Sequence, residues 1–269
     1  MLWKYTPRML KQSSKILRYS GLFLLPITFL FTAAAQEAGP TADDIVKKSI
    51  DARGGLDKIK AIQSVKMTGK FVMGGGQMEA PMTMQIKRPS SLRLDMEIQG
   101  QSLIQAYDGT TAWTINPFTG GAEAQKMPAE EAEAFAEGSD MDGALVDYKL
   151  KGHKLTLVGK EDLAGKPAYK LKLDKKNGKT ETIYVDATSF MEVKTVATRK
   201  MMGNDMEMET FVSDFKPVRG VLMPHTIDSK SGGNSVFTIN IEKIDANGTV
   251  DDAAFKMPEA KPAAKPDAK

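Results

Sequence analysis

At Val65 the hydrophobic period of this chain changes from about 3.6 residues to 2, and it stays at 2 over most of the remaining length. Val65, Met67, Gly69, Phe71 and Met73 alternate with Lys66, Thr68 and Lys70. Met82, Met84 and Ile86 alternate with Thr83, Gln85 and Lys87, and Leu92, Leu94, Met96 and Ile98 with Arg93, Asp95 and Glu97. Successive strand side chains point to opposite faces, so each run predicts a strand with one dry and one wet face. Further strands are expected near 102–107, 112–116, 154–160, 167–174, 180–186, 191–200, 206–215, 221–228 and 235–245. The breaks carry turn residues: Gly74-Gly75-Gly76, Asp108-Gly109, Asn177-Gly178 and Gly232-Gly233. Links this short predict an antiparallel meander, because a parallel pair needs a long crossover.

Helical signals stand before and within the strand region. Thr41, with Asp44 three residues on, begins a capping-box-like helix from Ala42 to Arg53. Ile45, Val46 and Ile50 share one side of it, and Gly54-Gly55 end it. Leu56, Ile59 and Ile62 add one or two turns. Residues 117–151 interrupt the meander. There Met127-Pro128 leads into AEEAEAFAEGSD, a helix by propensity with Pro128 near its start. Its apolar content, Ala132, Phe135 and Ala136 with Met127 just before, is too small to nucleate a core, and it is expected to lie across one as a cover. Met141, Leu145, Val146 and Tyr148 are expected to extend the cover to about residue 148.

The N-terminus has the order basic, apolar, small. Lys4, Arg8, Lys11, Lys15 and Arg18 precede the apolar run Gly21–Phe31, and Ala33 and Ala35 come after it. Residues 1–35 are therefore expected to be a signal peptide. The run is too short to cross a bilayer core of about 30 Å as a helix, and Pro26 interrupts it. Without these five bases the 37 Lys and Arg fall to 32 against 34 Asp and Glu, a net of −2 instead of +3. A nucleic-acid partner, which needs a basic surface, is excluded on that balance. The chain has no cysteine, so it can carry no lipid on a lipobox and no disulfide. The expected organisation is a signal at 1–35, one β-rich domain at 36–258 free in the periplasm, and a disordered Ala/Pro/Lys tail at 259–269.

Catalytic and metal motifs are sparse. His153 and His225 lack the spacing of a zinc helix. Lys176-Asn177-Gly178-Lys179-Thr180 ends like a phosphate loop, but Leu173 stands where the motif's first glycine belongs, and a hairpin turn explains it better. No serine sits in a nucleophile elbow. No cofactor, metal or catalytic residue is expected. Methionine is the unusual element: 15 of 17 lie beyond the leader, and several fall on the dry phase of strands. Methionine fills core gaps, and it also lines surfaces that adapt to irregular apolar partners.

Three stretches together resemble the LolA-like superfamily, the outer-membrane lipoprotein-sorting proteins. They are the opening ADDIVKKSIDARGGLDKIKAI running into SVKMTGKFVM, then KRPSSLRLDMEIQGQSLIQAYDGTTAWTINPFTG with its D-G turn, Trp and Pro, and finally FKPVRGVLMPHTI followed by FTINIEKIDANGTVDDAAFKMP, closing on F-x-x-P. The resemblance implies a mainly β fold with some α: a half-open antiparallel barrel of about 11–12 strands under short helices, with an apolar cavity. It implies a binder or carrier of lipid or lipoprotein acyl chains; the sparse catalytic motifs give the expectation that the chain is no enzyme. The alternative is an envelope protein-interaction or stress-sensor module whose partner is an envelope or outer-membrane protein. By strand parity the cavity is expected to be lined by Met67, Phe71, Met82, Met84, Leu92, Leu94, Met96 and Trp113, with Met127, Phe135 and Met141 on the lid. In the family an arginine can tie the lid down. Arg93, opposite in parity to Leu92 and Leu94, is not matched to it.

Overall fold

The computed structural model describes residues 39–259 except 120, 202 and 203. The signal expected at 1–35 lies outside the described residues, as does the tail beyond residue 259. Two helices open the described chain, α1 (Ala42–Ala52) and α2 (Leu56–Ala61). The capping box forms as its residue types require: Thr41 Oγ1 accepts from the Asp44 N–H, and the Thr41 N–H donates to Asp44 Oδ2 at 2.9 Å. Six strands come next: β1 (Ser64–Met73), β2 (Met78–Lys87), β3 (Ser91–Ile98), β4 (Gln101–Tyr107), β5 (Ala112–Asn116) and β6 (Gly121–Lys126). The helix α3 (Ala129–Glu137) and a run of turns lead to β7 (Lys154–Leu163), β8 (Lys166–Asp174), β9 (Thr180–Asp186), β10 (Glu192–Met201) and β11 (Asn204–Ser213). A small ribbon, β12 (Lys216–Val218) and β13 (Val221–Met223), precedes β14 (Thr226–Ser231) and β15 (Asn234–Ala246).

All but the ribbon form one 13-stranded sheet, in the order β6-β5-β4-β3-β2-β1-β15-β14-β11-β10-β9-β8-β7. Neighbours pair antiparallel. The sheet stays open, with β6 and β7 at its edges, so the half-open barrel expected from sequence is the observed architecture. The strand count exceeds the expectation for three reasons, the first being the short ribbon strand β12, which lies between the runs expected at 206–215 and 221–228. β6 (GAEAQK) has only alanines to show a period, and it sits exposed at an edge. The run expected at 221–228 is split at Pro224, which has no N–H for a ladder.

One bulge sets the inner face. Met67 pairs with Ile244 and Gly69 with Ile241, so Glu242 is an extra residue between them. The extra residue brings Ile239, Ile241 and Ile244 to the same face despite their mixed parity. The approach there is close: a Cβ on Gly69 would lie 2.0 Å from the Asn240 carbonyl oxygen. Only glycine fits.

The helices lie on this inner face. Ile45 and Val46 of α1, with Leu145 and Tyr148, pack on Tyr169, Leu171, Leu173, Ile183 and Val185 of β8 and β9. Ile59 and Ile62 cover Val65, Ile86, Leu92, Val221 and Ala246. A third cluster, Met82, Leu94, Met96, Ile239 and Ile241, is flanked by half-buried Met67, Phe71, Met84 and Phe237.

The outer face has its own small core, and Trp113 belongs to it. The register pairs Trp113 with Ala106 and Ala106 with Arg93, on the face opposite Leu92 and Leu94. Its Nε1–H donates to the Phe255 carbonyl at 2.8 Å, and Arg93 Nη1 donates to the Ala254 carbonyl at 2.7 Å. This corrects the expectation that Trp113 lines the cavity. A 3-10 turn (Asp252–Phe255) covers β3 to β5 from outside and buries Ala106 and Trp113, while Ala112 is buried on the inner face, and a strand dry on both faces has no parity to read. The D-G-Trp stretch and the closing F-x-x-P thus meet in space.

Candidate ligand-binding site

Where the third cluster meets the helices, packing stops short of filling the inner face. A cavity of about 260 Å³ remains there. Met67, Met82, Met84 and Ile86 come from β1 and β2, and Ile227, Ile239, Ile241 and Ile244 from β14 and β15. Its roof is Gly138, Asp140 and Met141, with Arg53 at one side. The walls are thus mainly branched isoleucines on the β14–β15 flank, with Met223 and Pro224 beside them, and mainly methionines on the β1–β2 flank, with Val65 and Ile86, and the methionine flank is the one that can adapt to a guest.

The roof segment is held by charge. Arg88 Nη2 donates to Asp142 Oδ1 at 2.5 Å, Arg88 Nη1 to Asp142 Oδ2 at 3.1 Å, and Lys60 Nζ to Asp142 Oδ2 at 2.5 Å. Arg53 Nη1 reaches the Asp142 carbonyl at 2.7 Å. Arg88 also caps α2, donating to the carbonyls of Ile59 and Ile62. Burial pushes the Asp142 carboxyl up, but the bonds from Arg88 and Lys60 outweigh it and hold it at about 2, against an ordinary 3.8. Arg53 and Arg88 therefore fasten the chain just beyond α3, while Arg93 pairs with Asp95 on the outer face.

α3 is held differently. None of its residues is buried, and only Phe135 enters the apolar clusters. Its acidic side faces the far rim of the sheet. Glu130 pairs with Lys200 at 3.0 Å, Glu133 with Lys179 at 2.9 Å, and Glu137 with Lys175 at 3.1 Å and Arg199 at 3.5 Å. Positions 130, 133 and 137 share one helix face, so the ladder arises from helical spacing. α3 is a strap, apolar at one residue and ionic along its length.

Beneath its end lies a polar pocket of about 770 Å³ that shares Gly138 and Asp140 with the apolar cavity. Lys175 and Arg199 converge there on Glu181, each at 2.6 Å. Burial pushes Glu181 up, and these two cations outweigh it and hold it below the usual range. A third hollow, about 780 Å³, opens near Phe211, Leu163 and Lys194, away from the helices. Among the described residues no group of three or more His, Asp or Glu is arranged to hold a metal.

The residues predicted from sequence divide between the cavity and its surroundings. Met67, Met82, Met84 and Met141 line the cavity. Leu94 and Met96 are buried in the cluster behind it, and Phe71 stacks on Phe237 at 5.2 Å beside it. Leu92 lies in the neighbouring cluster under α2. Phe135 touches both clusters from above. Met127 is buried where β6 gives way to α3, its N–H donating to the Ala112 carbonyl, and does not line the cavity. Trp113 is on the other face. Missed at the sequence level were Ile227, Ile239, Ile241 and Ile244, although the alternation Phe237, Ile239, Ile241 signalled Ile239 and Ile241. The ion ladder was also legible in the 130/133/137 spacing. The Asp142 cluster joins residues 54 and 82 apart, and no local signal announces it.

This geometry, an open antiparallel sheet with helices across its hollow, is the LolA-like fold. A LolA superfamily protein from Nitrosomonas europaea shares it with a TM-score of 0.55 at 12% identity, over 81% of this chain and 98% of that one. An outer membrane lipoprotein-sorting-assigned domain from Vibrio parahaemolyticus aligns with a TM-score of 0.51 at 11% identity, over 78% and 97%. A DUF1329 family protein from Desulfovibrio piger aligns with a TM-score of 0.51 at 12% identity, over 80% and 96%. No family model matches the sequence, and no curated protein matches it.

Proposed function

We propose that this protein is a periplasmic binder or carrier that takes an acyl chain of a lipid or lipoprotein into the inner-face cavity, and that it is not an enzyme. The observation that carries the reading is the methionine- and isoleucine-lined cavity of about 260 Å³ beside a fully packed core in the same sheet. Each methylene moved from water into it gains about 0.8 kcal/mol. The volume is below the roughly 300–1,000 Å³ of most small-molecule sites, so a long chain needs the roof or α3 to move. α3 is suited to that, since it has one apolar anchor. The fold shared with the lipoprotein-sorting domain and the basic-apolar-small leader support the same reading.

The test is uptake of a fluorescent fatty acid, with native mass spectrometry of protein recovered from the periplasm. Saturable uptake, blocked by Met84→Trp in protein that still folds, is expected. Ligand-free protein that takes up no fatty acid would end the proposal.

A further inference from the structure

The polar pocket abuts the apolar cavity, and its charges are divided between the sheet and the strap. Lys175 and Arg199 share two carboxylates. Glu181 is fixed on β9 with its side chain 5% exposed, while Glu137 is the last residue of α3. Lys175 is itself only 10% exposed. If α3 lifts, these two half-enclosed cations keep one carboxylate between them. Lys179 and Lys200 on the rim lose Glu133 and Glu130 in the same movement. The pocket wall adds Lys151 and Lys176, and among the described residues only Lys151 has a carboxylate of its own, Asp140 at 2.5 Å. His153 responds to this potential: burial first, then Lys175 and Lys151, pull its pKa down.

Resting on the acyl-chain reading, we infer that the ligand is an anionic amphiphile whose phosphate or carboxylate headgroup takes the place of Glu137 on Lys175 and Arg199, while its chain enters the methionine cavity. The strap carboxylate and the headgroup compete for one site. Opening α3 without an anion strands buried positive charge, whereas opening it with one exchanges one ion pair for another. The exchange selects for charge at the mouth, which the apolar cavity alone cannot do. A neutral amphiphile of the same chain gains the apolar contacts but leaves Lys175 and Arg199 with Glu181 as their one carboxylate.

The experiment compares dodecyl phosphate with dodecyl dimethylamine oxide, a zwitterion of no net charge, both below micelle formation in low salt, by calorimetry on the leaderless protein. Dodecyl phosphate is expected to bind about tenfold more tightly. That preference should vanish in Lys175→Gln/Arg199→Gln. Glu137→Gln removes the competing charge, and with it one rung of the α3 ladder, at a side chain 24% exposed. It should strengthen dodecyl phosphate several-fold, about threefold or more, and the amine oxide less. Equal affinities in the wild type, or a preference that survives the double variant, overturn the inference and leave the acyl-chain reading standing. Inorganic phosphate binding as tightly as dodecyl phosphate makes the pocket a free-phosphate site and overturns it too. So does binding to anionic vesicles with none to the monomers, which makes the rim a membrane-docking face. Failure of both detergents removes the acyl-chain reading together with this one.

Discussion

The two halves of the inner face are built from the same sheet and end differently. Against β8 and β9 the space is filled: Ile45 and Val46 of α1 press on Leu171, Leu173, Ile183 and Val185, and no methionine takes part. Against β1, β2 and β15, α2 covers Val65, Ile86 and Ala246, but beyond it a void remains, and methionines line one flank. Branched side chains with few rotamers suit a surface that has one partner for life. An unbranched thioether suits a surface whose partner comes and goes. The difference in residue type thus separates the half that stabilises the fold from the half that is free to bind.

Substitutions on the two sides should therefore behave differently, and the largest effect belongs to the filled half. Leu171→Ala or Ile183→Ala, each at a side chain with no exposure, should cost about 2–5 kcal/mol in urea unfolding. Fatty-acid uptake by the fraction that folds should persist. A loss of uptake without a loss of stability would invert the comparison.

Next comes the cluster between the halves. Asp142→Asn should cost about 2 kcal/mol at neutral pH, discounted from a fully buried pair because Lys60 is partly exposed. The charge also sets a pH window. The folded carboxyl titrates at about 2, below its ordinary 3.8, so its contribution is complete above the ordinary value and drains away as the pH falls toward the lower one. Wild-type stability should drop by about 2 kcal/mol more than that of Asp142→Asn between pH 5 and 2, measured by thermal melts.

In the open half, Met84→Ala should cost only about 1 kcal/mol, because the site is half-buried and already borders a void. Ligand affinity should fall more than stability does. A cost equal to that of Leu171→Ala would mean that the methionine wall is ordinary core.

The smallest effect is ionic. The Glu130 and Glu133 pairs of α3 are largely exposed and worth about 0.2–1 kcal/mol each, and salt screens them. Raising salt should speed amide exchange in residues 129–137 and leave the amides of β8 and β9 unchanged. Strap amides indifferent to salt would show that Phe135 alone holds α3.

Strand positions were legible because Met67 and Met84 sit on strands wet on one side, where alternation reports the face directly, and the open barrel was legible through the resemblance of the three stretches. Trp113 was not, because the 3-10 turn at Asp252–Phe255 dries its outer side, and burial then carries no parity. The isoleucine flank was half legible: Ile239 and Ile241 keep the period, but Ile244 changes phase at the Glu242 bulge. The Asp142 cluster was illegible. Lys60, Arg88 and Asp142 look like ordinary surface charges until the fold brings them together.

The place of β15 has a consequence in time. Among the described residues it is the last strand in sequence and the seventh of 13 in the sheet, with six strands on either side. The two groups of strands can form as local ribbons, since their neighbours are close in sequence, but β1 and β14 each keep a raw edge until residues 234–246 arrive. A chain delivered N-terminus first thus passes through a stage with two sticky borders facing one gap. Its most vulnerable moment comes just before its final strand is inserted, and protection is needed for that interval and not for the finished molecule.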